Sequence, residues 1–156
     1  MLTTERLILR QFTSQDEEQY TAIMTNPNVY QYLGTGQPVP TDAIPRMIQT
    51  WNSTFGHGLG VYAVEEKCTG KLIGHCGVRG LPDGRNEILY AYCEKSWGKG
   101  YATEAGKAVL QVHTHRPLIA VSYPQNKGSI GVITKLGFRH VGQEEMFGTV
   151  LESYIL

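Results

Sequence analysis

Residues Glu87 to Ala105 read Glu-Ile-Leu-Tyr-Ala-Tyr-Cys-Glu-Lys-Ser-Trp-Gly-Lys-Gly-Tyr-Ala-Thr-Glu-Ala. The first six, 87–92, are rich in aromatic and branched residues and favour a strand. A helix is expected from about 101 to 114, beginning at the glycines. Gly98 and Gly100 lie between the two. Glycine lets the backbone approach a ligand closely and take positive φ. The free N–H groups of the next helical turn then point at the same spot, and the helix dipole favours negative charge there. Strand, glycine loop and helix therefore make a cradle for phosphate or pyrophosphate. Lys95, Lys99 and Lys127 could add point charges. Two nucleotide fingerprints fail. GxGxxG would need glycine where Thr103 stands, and GxxxxGK[ST] would need Ser or Thr where Gly100 follows Lys99.

Working outward, residues 3–10 look like an opening strand. Ser14-Gln-Asp-Glu17 reads as a capping box, starting a helix to about Thr25 that Asn26-Pro27-Asn28 ends. Thr41-Asp42 opens a second helix to about Phe55, with Pro45 in its first turn. Strands are expected at roughly 60–66 and 71–78, joined by a turn at Cys68-Thr-Gly70. Pro82-Asp-Gly84 is a turn before the 87–92 strand. Leu118–Ser122 is a short strand, and Asn126–Leu136 a helix closed by Gly137. Phe138–Glu145 and Thr149–Ile155 form a final antiparallel pair. The order β-α-α-β-β-β-α-β-α-β-β describes one mixed α/β domain over 1–156, without repeat or linker.

The chain has 156 residues, 41% hydrophobic and 18% charged, the profile of a soluble globule. No apolar stretch approaches the ~18 residues of a membrane span, and the N-terminus lacks signal-peptide order. A cytoplasmic protein without membrane contact is expected. Cys68, Cys76 and Cys93, an odd number without CxxC, read as reduced thiols. His113, His115 and His140 lack partners at ligand spacing, so no metal is expected. Asn52-Ser-Thr is read as a chance sequon. Net charge is zero, which gives no pull toward nucleic acid. Yet residues 95–139 hold seven basic residues and one acid, Glu104, so the positive charge sits where a polyanionic small ligand would bind.

Trp97-Gly-Lys-Gly-Tyr-Ala-Thr-Glu-Ala105 resembles the acetyl-CoA loop of the GNAT N-acetyltransferases, Gln/Arg-x-x-Gly-x-Gly/Ala. Trp97 takes the first place, Gly100 the glycine and Ala102 the last. Trp97 departs from Gln/Arg and is similar to the RimJ/RimL-type branch of ribosomal-protein N-terminal acetyltransferases. That branch also shows forms of Leu7-Ile-Leu-Arg10, Tyr32-Leu33-Gly34, Gly70-Lys-Leu-Ile-Gly74 and Asn126-Lys-Gly-Ser129…Lys135-Leu-Gly-Phe138. The match runs in order from residue 2 to about 145.

The resemblance implies a mostly antiparallel sheet with one splayed parallel pair, 87–92 and 118–122, flanked by about four helices. It implies acetyl transfer from acetyl-CoA to a primary amine, a protein N-terminus or a small amine. Tyr90, Ala91 and Tyr92 would pair with the pantetheine arm, and the Tyr92 N–H would hold the thioester carbonyl. Gly98, Lys99, Gly100, Tyr101, Ala102 and Thr103 would bind pyrophosphate, beside Trp97. Asn126 would hydrogen-bond the cofactor arm, and Ser129 the sulfur. Glu87 is the candidate general base, with a strand-end pair to Arg79 or Arg85 as its structural alternative. His75 is a second candidate base. Many family members carry a tyrosine seven residues after the asparagine; here Ile133 stands there, so Ser129, Tyr92 or another tyrosine must serve the thiolate. A non-catalytic acyl-CoA-binding regulatory module is the alternative reading. The last strand ends at Leu156 almost without a tail, so a partner subunit completing it, in a homodimer, is also expected.

Overall fold

The computed structural model describes residues 1–156. Its strands are β1 (Leu2–Thr3), β2 (Leu7–Arg10), β3 (Gly60–Glu66), β4 (Lys71–Gly80), β5 (Asn86–Tyr92), β6 (Leu118–Ser122), β7 (Arg139–Met146) and β8 (Thr149–Ile155). Its helices are α1 (Glu17–Met24), α2 (Pro27–Tyr30), α3 (Ile44–Ser53), α4 (Tyr101–Val112) and α5 (Lys127–Lys135). The eight strands form one sheet in the order β1-β2-β3-β4-β5-β6-β8-β7. Only β5 and β6 run parallel, and they pair at just two positions, Asn86 with Leu118 and Glu87 with Ile119. The α/β class and the splayed parallel pair are as the sequence leads one to expect.

Four local expectations need correction. The opening strand is two strands, β1 folding back on β2 with Leu2 opposite Leu9. The capping box sits one residue earlier, because Asp16 accepts the Thr13 N–H at 2.8 Å while also gripping Arg10. The Asn26-Pro27-Asn28 break restarts helix: Asn26 accepts from the Asn28 N–H and begins α2, making five helices. Finally, β8 is interior, between β6 and β7. The Phe147-Gly148 turn, both residues at positive φ, folds the hairpin tightly, and the second arm takes the inner place. The open edge belongs to β7.

Side chains alternate across the sheet and build two cores. On one face Val64, Cys76, Val78, Ile88 and Tyr92 pack under α4 and α5. On the other Val61, Ala63 and Ala91 pack against Tyr20, Ile48 and Trp51 of α1 and α3. Helix α4 is tied to the N-terminus by Glu104, which pairs with Arg6 at 2.7 Å and accepts from Thr4 at 2.6 Å. No helix is long and apolar enough to cross a membrane.

Candidate active site

The cleft opens where β5 and β6 part. The Cys93 N–H donates to Ile73 O at 2.7 Å. In an antiparallel ladder alternate residues turn to the same neighbour. The amides of Ala91 and Leu89 therefore face β4, and those of Tyr90 and Tyr92 face the gap toward β6. The gap continues into a cleft of about 950 Å³, lined by residues from both faces of the sheet. Every residue singled out from the sequence for catalysis or cofactor binding lines it, Lys127 included, except Lys95 and Lys99.

One end of the cleft is the glycine loop. Gly98 and Gly100 have φ of 75° and 82°, left-handed values that favour glycine. Gly100 caps α4 without any side-chain acceptor, so the first-turn amides of α4 stay free toward the cleft. The Tyr101 hydroxyl points away, donating to Glu66 at 2.6 Å, with Arg6 over its ring at 4.3 Å; only its backbone faces the loop. The Trp97 indole N–H donates to Tyr92 O at 2.9 Å, stapling the loop to the end of the splayed strand. That bond gives Trp97 a concrete task at a position where the wider pattern has Gln or Arg.

Asn126 caps α5 by accepting the Ser129 N–H at 3.2 Å. Capping thus falls to Asn126, and the Ser129 hydroxyl is free to face the cleft. It meets the Tyr90 hydroxyl at 3.0 Å. Burial holds the Tyr90 phenol protonated, well above its ordinary range, with Ser129 pulling weakly the other way. The Tyr92 hydroxyl turns into the core, enclosed and without a hydrogen-bond partner. Burial, and then nearby Cys76, raise its pKa.

The other face carries the polar group Arg79, Glu87 and His75. Arg79 and Glu87 are directly opposite on β4 and β5. One guanidinium N–H meets Glu87 Oε1 at 3.3 Å. Arg85 is committed elsewhere, to Asp83 and Glu144. Glu87 is 3% exposed, and its Oε2 has no partner. Burial raises its pKa above the usual carboxylate value, against the lowering pull of Arg79.

His75 ends a buried relay. The Trp51 indole donates to the Tyr20 hydroxyl at 2.8 Å, and that hydroxyl meets His75 Nδ1 at 2.7 Å. When the phenol donates its one proton to Nδ1, Nε2 carries the ring proton. Burial, and then the Arg79 charge, pull the pKa of His75 from 6.5 to about 3. A neutral histidine in that tautomer offers its Nε2–H as a donor. Neither partner is near in sequence, so this relay had no local signal.

The relay has a consequence for stability. Below about pH 6.5 the unfolded chain binds a proton that folded His75 refuses, so stability is full above that pH and is lost as the pH falls toward 3. From pH 7 to pH 4 the loss through His75 is about 3 kcal/mol. Thermal melts at both values should show a smaller drop for His75→Gln than for the unsubstituted protein.

Across the cleft mouth the Tyr123 hydroxyl donates to Gly34 O at 2.7 Å, and the Tyr32 and Tyr123 rings lie 5.7 Å apart. The loop after α2 is thereby latched over the Glu87 face.

Residues 6–139 match the family model described as Acetyltransferase (GNAT) domain. The chain is 31% identical over 149 residues to the uncharacterized N-acetyltransferase YoaA of Bacillus subtilis (strain 168), covering 91% of this chain and 84% of that protein. It is 28% identical over 166 residues to the uncharacterized N-acetyltransferase p20 of Bacillus licheniformis, covering 99% and 93%. An acetyltransferase from Agrobacterium tumefaciens str. C58 superposes with a TM-score of 0.84 at 24% identity, covering 99% and 92%. RimL, a ribosomal L7/L12 alpha-N-protein acetyltransferase in complex with coenzyme A, superposes with a TM-score of 0.81 at 16% identity, covering 98% and 94%.

Proposed function

The chain belongs to the GNAT acetyltransferase family and is an acyltransferase, and from that premise we propose that it moves acetyl from acetyl-CoA directly to a primary amine at the β5–β6 gap. The observation that carries this reading is the pair of unspent amides, Tyr90 and Tyr92, between a free helix N-terminus and a buried carboxylate.

The α4 amides and the Gly98–Gly100 backbone receive the pyrophosphate, with Lys127 adding charge. The Tyr92 amide, next to the glycine loop, pairs with the pantetheine arm. The Tyr90 amide, nearer Glu87 and rather than that of Tyr92, holds the thioester carbonyl and stabilises the oxyanion as the amine nitrogen attacks. Glu87 takes the amine proton; its raised pKa narrows the gap to an α-amine near ~7.7–8.0. The C–N bond forms, the C–S bond breaks, and the pair Tyr90–Ser129 hydrogen-bonds the departing sulfur. A thiol near ~8.5 is more acidic than this phenol, so the pair stabilises the thiolate and solvent supplies the final proton.

The finer reading is a RimJ/RimL-like enzyme of the cytoplasm, acting on a protein N-terminus or a small amine. Trp97, Ser129 and the Gly70–Gly74 stretch support that branch. CoA release with a panel of amines and short peptides tests the activity.

Two phenol deletions separate the tyrosines. Tyr90→Phe should lower kcat about tenfold or more, because it removes the group that holds Ser129 at the sulfur. Tyr92→Phe should leave kcat intact and the melting temperature equal or higher, because it deletes an enclosed hydroxyl with no partner. Steady-state kinetics and melts on both variants check this. The reverse order would give the thiolate-stabilising role to Tyr92.

A further inference from the structure

Resting on the acetyltransferase reading, we propose that the acceptor is an α-amino carbonyl compound, its amine at Glu87 and its carbonyl or carboxylate oxygen at Arg79 and His75. The argument begins with a contrast among the arginines of this chain. Arg10 closes a two-point pair with Asp16 at 2.8 and 2.9 Å. Arg85 closes a two-point pair with Glu144. Arg79 makes a single contact, at 3.3 Å, with its carboxylate; Arg6 also makes one side-chain contact, with Glu104, but a short one at 2.7 Å, and it does not line the cleft. Its guanidinium spends one of five donors, and its Nε has no acceptor. Glu87 Oε2 has no donor. An unspent donor and an unspent acceptor on one ion pair are the complement of a ligand that carries both, an ammonium and an oxygen acceptor separated by two carbons.

His75 adds a second donor on the same face, with the Trp51 ring 5.3 Å from its ring and 5.9 Å from the Arg79 Cζ. It lies on the Arg79 side of β4, two residues along the alternation from Gly77 and four from Arg79, and its ring lines the cleft. With the Tyr20 phenol donating to Nδ1, Nε2 is the protonated nitrogen. Two donors beside one acceptor exceed what a bare alkylamine can satisfy. Beyond them the same face of the cleft is apolar, with Leu33, Val39, Met47 and Leu89 packed on the α1–α3 core. That wall fits an apolar side chain on the α-carbon. A free amino acid and a peptide N-terminus share this chemistry.

The test is calorimetric titration of the CoA-saturated protein with L-leucine, L-leucinamide and 3-methylbutylamine, the last being leucine without its carboxyl group. Leucine, leucinamide or both should bind at least tenfold more tightly than 3-methylbutylamine. Tighter leucine points to free amino acids, and tighter leucinamide to peptide N-termini. In Arg79→Lys, which keeps the charge beside Glu87, most of that advantage should vanish, with the melting temperature checked alongside. Equal binding of 3-methylbutylamine, or binding of none of the three, overturns the proposal while CoA binding leaves the acetyltransferase reading standing. If CoA itself fails to bind, the acetyltransferase reading falls. The same titrations without CoA then decide the acceptor class, since all three polar groups belong to this chain.

Discussion

Glu87→Gln should lower kcat/KM for acetyl transfer by roughly 10²–10⁴-fold, the range expected for removing a positioned general base. Glutamine keeps the shape of the side chain and still offers an oxygen to the Arg79 N–H that now meets Oε1. What it loses is the power to accept the amine proton. The pyrophosphate end of the cleft is untouched, so the CoA dissociation constant should not move. The pH profile gives an independent sign. Burial raises the Glu87 pKa, so the acid limb of kcat/KM should lie above the ordinary carboxylate value of ~4.3. Activity falls as the pH drops through that limb, because the base becomes protonated. Rate profiles of the two proteins check this: the limb should be present in the unsubstituted enzyme and absent from the residual activity of the variant. Equal rates would make Glu87 a structural partner of Arg79 only.

Gly74→Ala should destabilise the fold by at least about 3 kcal/mol, a melting temperature lower by roughly 6–12 °C. A Cβ at Gly74 would stand 2.0 Å from Ala91 O and 2.9 Å from the Tyr92 Cα. Both are backbone atoms of a central strand, so no side chain can swing aside. The sheet must part there or the chain must unfold. The clash falls on the segment whose amides face the gap, so whatever protein folds should also bind acetyl-CoA more weakly. Gly70→Ala is the control for neighbourhood: a Cβ there meets nothing, though its φ of 68° carries a modest strain of its own. Melts of both variants, with circular dichroism to confirm folding, test the claim. A Gly74→Ala protein as stable as its parent would mean that β4 and β5 are not held this closely.

The parts of the site that are contiguous in the chain are legible in the sequence. The 87–92 strand, Gly98–Gly100 and the start of α4 form one run, and local chemistry determines each step. Asn126 and Ser129 are three apart on one helical turn, which the sequence also displays. The acceptor face was not legible as a whole. Arg79 meets Glu87 through strand register, and His75 meets Tyr20 across 55 positions of chain; pairings of that kind depend on the assembled sheet. Glu87 could be named from its strand position, but its choice of Arg79 over Arg85 depends on Arg85 being drawn to Glu144 on β7. The Tyr90 and Tyr92 hydroxyls were indistinguishable in sequence, since both alternate to one face; only the packing shows Tyr90 against α5 and Tyr92 sealed in the core. The misplaced capping box has a similar cause, because Asp16 was already bound to Arg10 on β2.

The most direct measurement is the melting temperature of the protein and of Gly100→Val with and without saturating acetyl-CoA. Valine at φ 82° is strained, and its branched side chain would crowd the α4 amides. Ligand at ~100 times its dissociation constant stabilises the native state by about 2.7 kcal/mol, or roughly 5–10 °C here. The unsubstituted protein should rise by that amount with acetyl-CoA and not with NADH or ATP, and a folded Gly100→Val should not rise. An equal rise in both proteins, or no rise in a folded unsubstituted protein, would contradict the cofactor site at the glycine loop and the splayed strand.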